Sequence, residues 1–155
     1  MNSGTFKSIE KESNFHFIQG DFTSNDIKKD IVNILPRSSS GTADYVDCII
    51  SDMAANFTGD KMTDALRTMN LCEEAMMFAA GSNCFDELNI DDHGMGLLRP
   101  GGSFLCKYFA CGRDNEKDLM TAAKSRFKYS MMMKPPASRK ESAEMYLFAT
   151  GFMMK

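Results

Sequence analysis

The sequence predicts an α/β fold built on a mainly parallel sheet, and three observations predict it. Short apolar runs alternate with amphipathic stretches along the 155 residues. One run, "YVDCIIS" (45–51), shows little polar alternation, as a strand buried on both faces does. Another, "LLRPGGSFLCKYFA" (97–110), leaves a Pro-Gly-Gly turn as a strong strand. Strands alternating with helices imply βαβ units. The length fits a single domain over 1–155 with a sizeable core, and no internal repeat is visible.

In order, "FHFIQGDF" (15–22) reads as a short strand ending in a Gly-Asp turn. In 23–35, Thr23, Ser24 and Asn25 are candidate caps, and Ile27, Ile31 and Leu35, with Ile34, form a 3.6-residue stripe. Pro36 ends that helix. After strand 45–51, residues 60–80 form a long helix with a stripe through Met62, Leu66, Met69, Cys72 or Glu73, Met76 and Ala80, closed by Gly81. Residues 81–96 read as a loop insertion. Strand 97–110, helix 114–127, strand 128–133, loop 134–144 and strand 145–152 complete the chain.

Composition excludes several classes. No apolar run approaches the ~18 residues a membrane-crossing helix needs. The first fifteen residues lack the apolar segment of a signal peptide and the arginines of a transit peptide. The five cysteines include no CxxC pair, and Cys48 and Cys106 lie in strand-like runs. Buried, inert thiols in a reducing compartment are expected, not a disulfide framework. His16 and His93 are too scattered for a zinc site, and Cys106-x4-Cys111 begins inside a strand. Fourteen methionines are read as core filler. Asn56-Phe57-Thr58 matches a glycosylation sequon without a secretory context. The net charge of −3 conceals an asymmetry: residues 1–98 carry 7 basic and 16 acidic groups, residues 99–155 carry 11 and 5. A basic half can face nucleic acid, although a solvated helix face and basic tail would look the same.

Two residues point to chemistry. Asp52 ends the strand in "CIISDMAANFTGD", and in open α/β sheets ligands bind beyond the carboxyl ends of the strands. Lys107 sits inside the apolar strand "FLCKYFA", where an unpaired lysine would be rare. A lysine acts as a base only if its pKa falls from ~10.4 toward neutrality through burial or a nearby cation. A neighbouring aspartate would orient it but oppose that fall.

Four pieces, "FIQGDF", "IISDMAANFTGD", "LRPGGSFLCKYF" and "KPPASRKESAEMYLFATGF", together resemble the FtsJ (RrmJ-type) ribose 2′-O-methyltransferases of ribosomal RNA, and in particular their mitochondrial members. The resemblance covers about residues 15–152. It implies a Rossmann-like methyltransferase sheet whose last strand runs antiparallel, S-adenosylmethionine as cofactor, and the large-subunit ribosomal RNA as partner, with no membrane or metal. By resemblance Asp52, Lys107 and Glu144 are catalytic, and Asp21, Phe22, Asp52 and Met53 border the cofactor. An antiparallel last strand would start at the edge where the Asp52 and Lys107 strands end, so three charges distant in sequence would converge. Lys134, Arg139 and Lys140 head a set of candidate RNA contacts that also includes Arg113, Lys124, Arg126 and Lys128.

The chain departs from the family pattern at its start. The family has a helix with a first catalytic lysine, then a strand and a loop of the type D-L-G-x-x-P-G-G. Residues 1–14 do not match these, and Lys7 and Lys11 lie too close to the first strand to stand for that lysine. "GMGLLRPGG" (94–102) precedes its strand, so it is a turn and not a cofactor loop. The expectation is an N-terminally truncated member, impaired in binding S-adenosylmethionine. Two other readings compete: a non-catalytic RNA-binding or ribosome-assembly module, and one part of a split methyltransferase.

Overall fold

The structure, a computed structural model, describes residues 15–36, 45–81, 96–136, 138–139 and 141–154. Its elements in chain order are α1 (Asn25–Ile34), β1 (Val46–Ser51), α2 (Lys61–Ala80), β2 (Leu98–Phe109), α3 (Arg113–Arg126), β3 (Phe127–Met133) and β4 (Glu144–Phe152). The four strands form one sheet in the order β1-β2-β4-β3. β1 and β2 are parallel, and β4 is antiparallel to both β2 and β3. Three strands share one direction and only the last, β4, runs against them, as the family resemblance implies. β4 stands between two strands that share a direction, so two of the three pairings are antiparallel.

Side chains alternate across each strand. Phe104, Cys106 and Tyr108 of β2 and Leu147 and Ala149 of β4 point to one face and are fully buried. α2 and α3 cover that face with Met69, Cys72, Ala75, Met76, Ala79, Leu119 and Ala123. The small residues on α2 let the helix sit close to the sheet. A second cluster, Val32, Phe78 and Leu97, ties α1 to α2 and β1. On the other face, the register lines up Ile50, Leu105, Phe148 and Met131 as an apolar row across all four strands. Ile50 at one end of that row is 70% exposed.

Four expectations need correction here. Residues 15–19 form no strand, and Phe15 and Phe17 are exposed. A strand needs a ladder, and β1 pairs only with β2 among the described residues. The Gly-Asp turn does form: Ser24 N donates to Asp21 O at 3.0 Å. β1 is not buried on both faces: Asp47, Cys48 and Ile50 are exposed, whereas Cys72, Cys106 and Cys111 are buried. The α2 stripe holds at Met69, Cys72, Met76 and Ala80, but Met62 and Leu66 are exposed in its first turns. On α1 the buried positions are Lys28 and Val32, and Ile34 is exposed.

Capping fixes the ends of α2. The Asp60 carboxylate accepts from Thr63 N at 2.7 Å, and Gly81 closes the helix at φ +74°. Arg126 Nη1 donates to the terminal carbonyl of Ala80 at 2.9 Å, so this arginine serves the fold. α3 carries Asp114 and Glu116 in its first turn and Lys124 and Arg126 in its last, matching the helix dipole. The segment 82–95 lies outside the described residues, but its flanks meet: a Cβ on Gly96 would lie 2.2 Å from Gly81 N and 2.3 Å from Ala79 O.

Two stability predictions follow from this packing. Gly96→Ala would force a methyl into backbone, and chemical denaturation is expected to show a loss of about 2 kcal/mol or more. Tyr108 is fully buried, its hydroxyl has no partner among the described residues, and burial, reinforced by Glu116, pushes its pKa well above the usual tyrosine range. A phenol that ionises later folded than unfolded holds its stabilisation below about pH 10 and loses it as pH rises further. Tyr108→Phe is expected to raise stability at neutral pH by about 1 kcal/mol and to flatten the alkaline decline in a pH series of melts.

Candidate active site at the carboxyl edge of the sheet

β1 ends at Ser51, which lies beside Cys106 of β2. The next residues along each chain, Asp52 and Lys107, are therefore neighbours, and Lys107 Nζ forms an ion pair with Asp52 Oδ1. The two ends differ in environment: the lysine side chain is 15% exposed and the carboxylate 71%. The ammonium is thus enclosed while its partner faces the space beyond the sheet.

β4 brings two more groups. Its register sets Tyr146 opposite Lys107 and Glu144 opposite Phe109. Tyr146 Oη donates to Glu144 Oε1 at 2.9 Å. That bond raises the Tyr146 pKa above the usual tyrosine value, and the charges of Glu144 and Asp52 add to the rise. The approach to Glu144 is fixed by Ala110 N donating to Ala143 O at 2.8 Å and by Glu144 N donating to Ser142 Oγ at 3.2 Å. Asp52, Lys107 and Glu144, named from the sequence, thus stand at one sheet edge. Tyr146 joins them; its signal was its place two residues after Glu144 on a strand of period two.

The loop after Asp52 is held by a buried acid. Asp64 accepts from Thr58 N at 2.7 Å, Thr58 Oγ1 at 2.8 Å and Gly59 N at 3.2 Å. The Thr58 backbone bond is the main cause of its lowered pKa. An open cavity of about 620 Å³ begins at Ala54, with Asp21, Asn56, Arg67, Asn70 and Glu74 among its polar walls. Its size is within the range of small-molecule sites.

The sequence-named cofactor residues divide around this cavity. Asp21 lines it, with Oδ1 accepting from Thr23 N and Thr23 Oγ1, both at 2.9 Å, which lowers its pKa. Phe22 instead packs edge-on against Phe78, ring centroids 5.4 Å apart, and Met53 packs on the main core. The sequence reading missed Lys28, which is buried on α1, pairs with Glu74 on the cavity wall and lies 5.2 Å from the Phe22 ring centroid. Its trace in the sequence is a lysine four residues before Val32, on the helix face that turns inward.

Of the candidate RNA contacts, Lys134 and Arg139 are exposed in the connection that leads to Glu144, and Lys134 Nζ donates to Ser142 O at 2.7 Å. Lys140 lies outside the described residues. Among the described residues, no three His, Cys, Asp or Glu side chains are grouped to hold a metal, and no helix is long and apolar enough to cross a membrane.

Glu144→Gln keeps an acceptor for Tyr146 but removes the charge. Ultraviolet titration of the phenols is expected to show the Tyr146 transition moving down in pH, whereas an unmoved transition would separate Tyr146 from Glu144.

The sequence and the fold have counterparts elsewhere. A family model described as FtsJ-like methyltransferase matches residues 2–152. The chain is 38% identical over 144 residues to a ribosomal RNA large subunit methyltransferase E of Gluconobacter oxydans, covering 93% of this chain and 45% of that protein. It is 44% identical over 106 residues to the protein of the same name from Mesorhizobium japonicum, covering 68% of this chain and 34% of that one. It thus spans less than half the length of these curated relatives. The crystal structure of a ribosomal RNA methyltransferase from Plasmodium falciparum superposes with a TM-score of 0.62 at 21% identity, covering 96% of this chain and 70% of that chain, which supports the methyltransferase-type α/β fold. With the family match running over nearly all of its length, this chain belongs to the FtsJ-like methyltransferases.

Proposed function

We propose that this chain carries the catalytic edge of a ribose 2′-O-methyltransferase that takes S-adenosylmethionine as donor and large-subunit ribosomal RNA as acceptor. The observation that carries the reading is the enclosed Lys107 paired with Asp52 beside Glu144. A ribose hydroxyl is a poor nucleophile until its proton is taken. Lys107 is the group placed to take up that proton, with Asp52 as its ion-pair partner. Asp52 also orients the amine, and Glu144, held by Tyr146, fixes the acceptor side of the site.

The chain's residues suit the donor. S-adenosylmethionine supplies a methyl group on a cationic sulfonium. The cavity walls offer the acid Asp21 and the amides Asn56 and Asn70 beside Arg67 and the Lys28-paired Glu74, with Asp52 two residues from the wall residue Ala54. Positioning dominates such an in-line transfer, and the Asp64-clamped loop gives the rigidity it requires. The cavity formed by the described residues is open, and weak affinity for the donor is expected. Lys134, Arg139 and Lys140, next to Glu144 in sequence, would neutralise RNA phosphates. The family resemblance also carries a mitochondrial setting for this activity.

Calorimetric titration of the purified chain with S-adenosylmethionine tests the reading. Weak saturable heat is expected, with a Kd well above about 1 μM. Asp52→Ala should abolish it, and heat unchanged in that variant would remove Asp52 from the site. Where transfer of a labelled methyl group to ribosomal RNA is measurable, Lys107→Ala should reduce it about 100-fold or more and leave donor binding within twofold. Equal transfer by the variant would overturn the base role.

A further inference from the structure

Phe57 is 69% exposed, yet the loop that carries it is fixed. The flanking Thr58 and Gly59 are tied to Asp64 by three hydrogen bonds. A large aromatic ring held outward on a rigid loop buries little, so packing of the described residues does not account for it. Among the described residues its ring partner is Phe109, with centroids 5.8 Å apart and planes at 35°. Phe109 ends β2, two residues beyond Lys107 on the same face, and is opposite Glu144 in the β2–β4 register. The tilted pair therefore borders the candidate active site where β2 and β4 meet.

We infer that Phe57 and Phe109 form a stacking platform for an unpaired RNA base next to the ribose that receives the methyl group. The inference rests on the ribose reading above and adds to it the structural state of the substrate. Reaction requires the 2′-oxygen within about 3 Å of the Lys107 amine. An unpaired nucleotide can tip its ribose into the sheet edge if its base, or its neighbour's, finds a new stacking surface. Aromatic faces provide that surface for any base, without reading its identity. Charge favours RNA over an apolar protein partner for this patch: the exposed Lys134 and Arg139 stand in the connection that leads to Glu144, opposite Phe109.

Fluorescence anisotropy tests this with the full chain and two labelled strands of about twelve nucleotides, an oligouridylate and a ribose-phosphate strand without bases. Phe57→Leu should weaken oligouridylate binding about tenfold, or about 1.4 kcal/mol. Phe57→Tyr should stay within twofold of the wild type. The base-free strand should bind the wild type and Phe57→Leu alike, while Arg139→Ala should weaken both strands. Circular dichroism controls for folding. Phe57→Leu within twofold on oligouridylate would overturn the platform and point to a protein contact. An equal loss on the base-free strand would overturn it also. RNA binding that survives with Phe57 indifferent removes only this inference, whereas a wild type that binds neither strand removes both it and the ribose reading.

Discussion

β3 ends at Met133 and β4 begins at Glu144, and the connection between them is too short for a parallel crossover. β4 must therefore run back against β3, and by pairing with β2 it runs against that strand too. Direction decides which end of β4 lies where. Its first residue returns to the edge at which β1 and β2 finish, so Glu144 and Tyr146 arrive beside Lys107 without any long loop. Were β4 reversed, the glutamate would sit at the far edge. The same insertion gives β2 two partners and makes it the centre of the core, with Phe104, Cys106 and Tyr108 fully buried.

Two lysines are drawn into the interior, and the fold treats them alike. Lys28 of α1 and Lys107 of β2 each reach a carboxylate that is more exposed than the lysine itself. An enclosed cation without such a partner would be costly, and an acid left near solvent loses less hydration than one buried with it. The environments then diverge. Glu74 on α2 anchors a helix to a helix, with Phe22 against the lysine. Asp52, at 71% exposure, faces outward, where a ligand can share it.

Local patterns were legible in the sequence because they are governed by neighbours in the chain. The helices at 25–34, 61–80 and 113–126 and the four strands near their predicted bounds follow from period, caps and turns. Asp52 and Lys107 could be singled out because one is an acid at a strand end and the other a cation in an apolar strand. What could not be read depends on which surfaces other elements cover. The run 15–22 has strand composition but no ladder, and "YVDCIIS" looks doubly buried although its strand is an edge. Cys48 was misplaced for the same reason. Lys28 inside the α1 interface required knowing that Glu74, forty-six residues away, would meet it.

The contact between Gly81 and Gly96 has an evolutionary consequence. A segment whose two ends already touch closes its own loop, and its length is nearly decoupled from the rest of the chain. For ends already in contact, closure entropy rises by only about 0.6 kcal/mol each time the number of joining residues doubles. Residues could be gained, lost or exchanged for a foreign peptide at this junction while α2 and β2 keep their places. Selection on sheet geometry would act on the two glycines and scarcely at all on how much sequence lies between them.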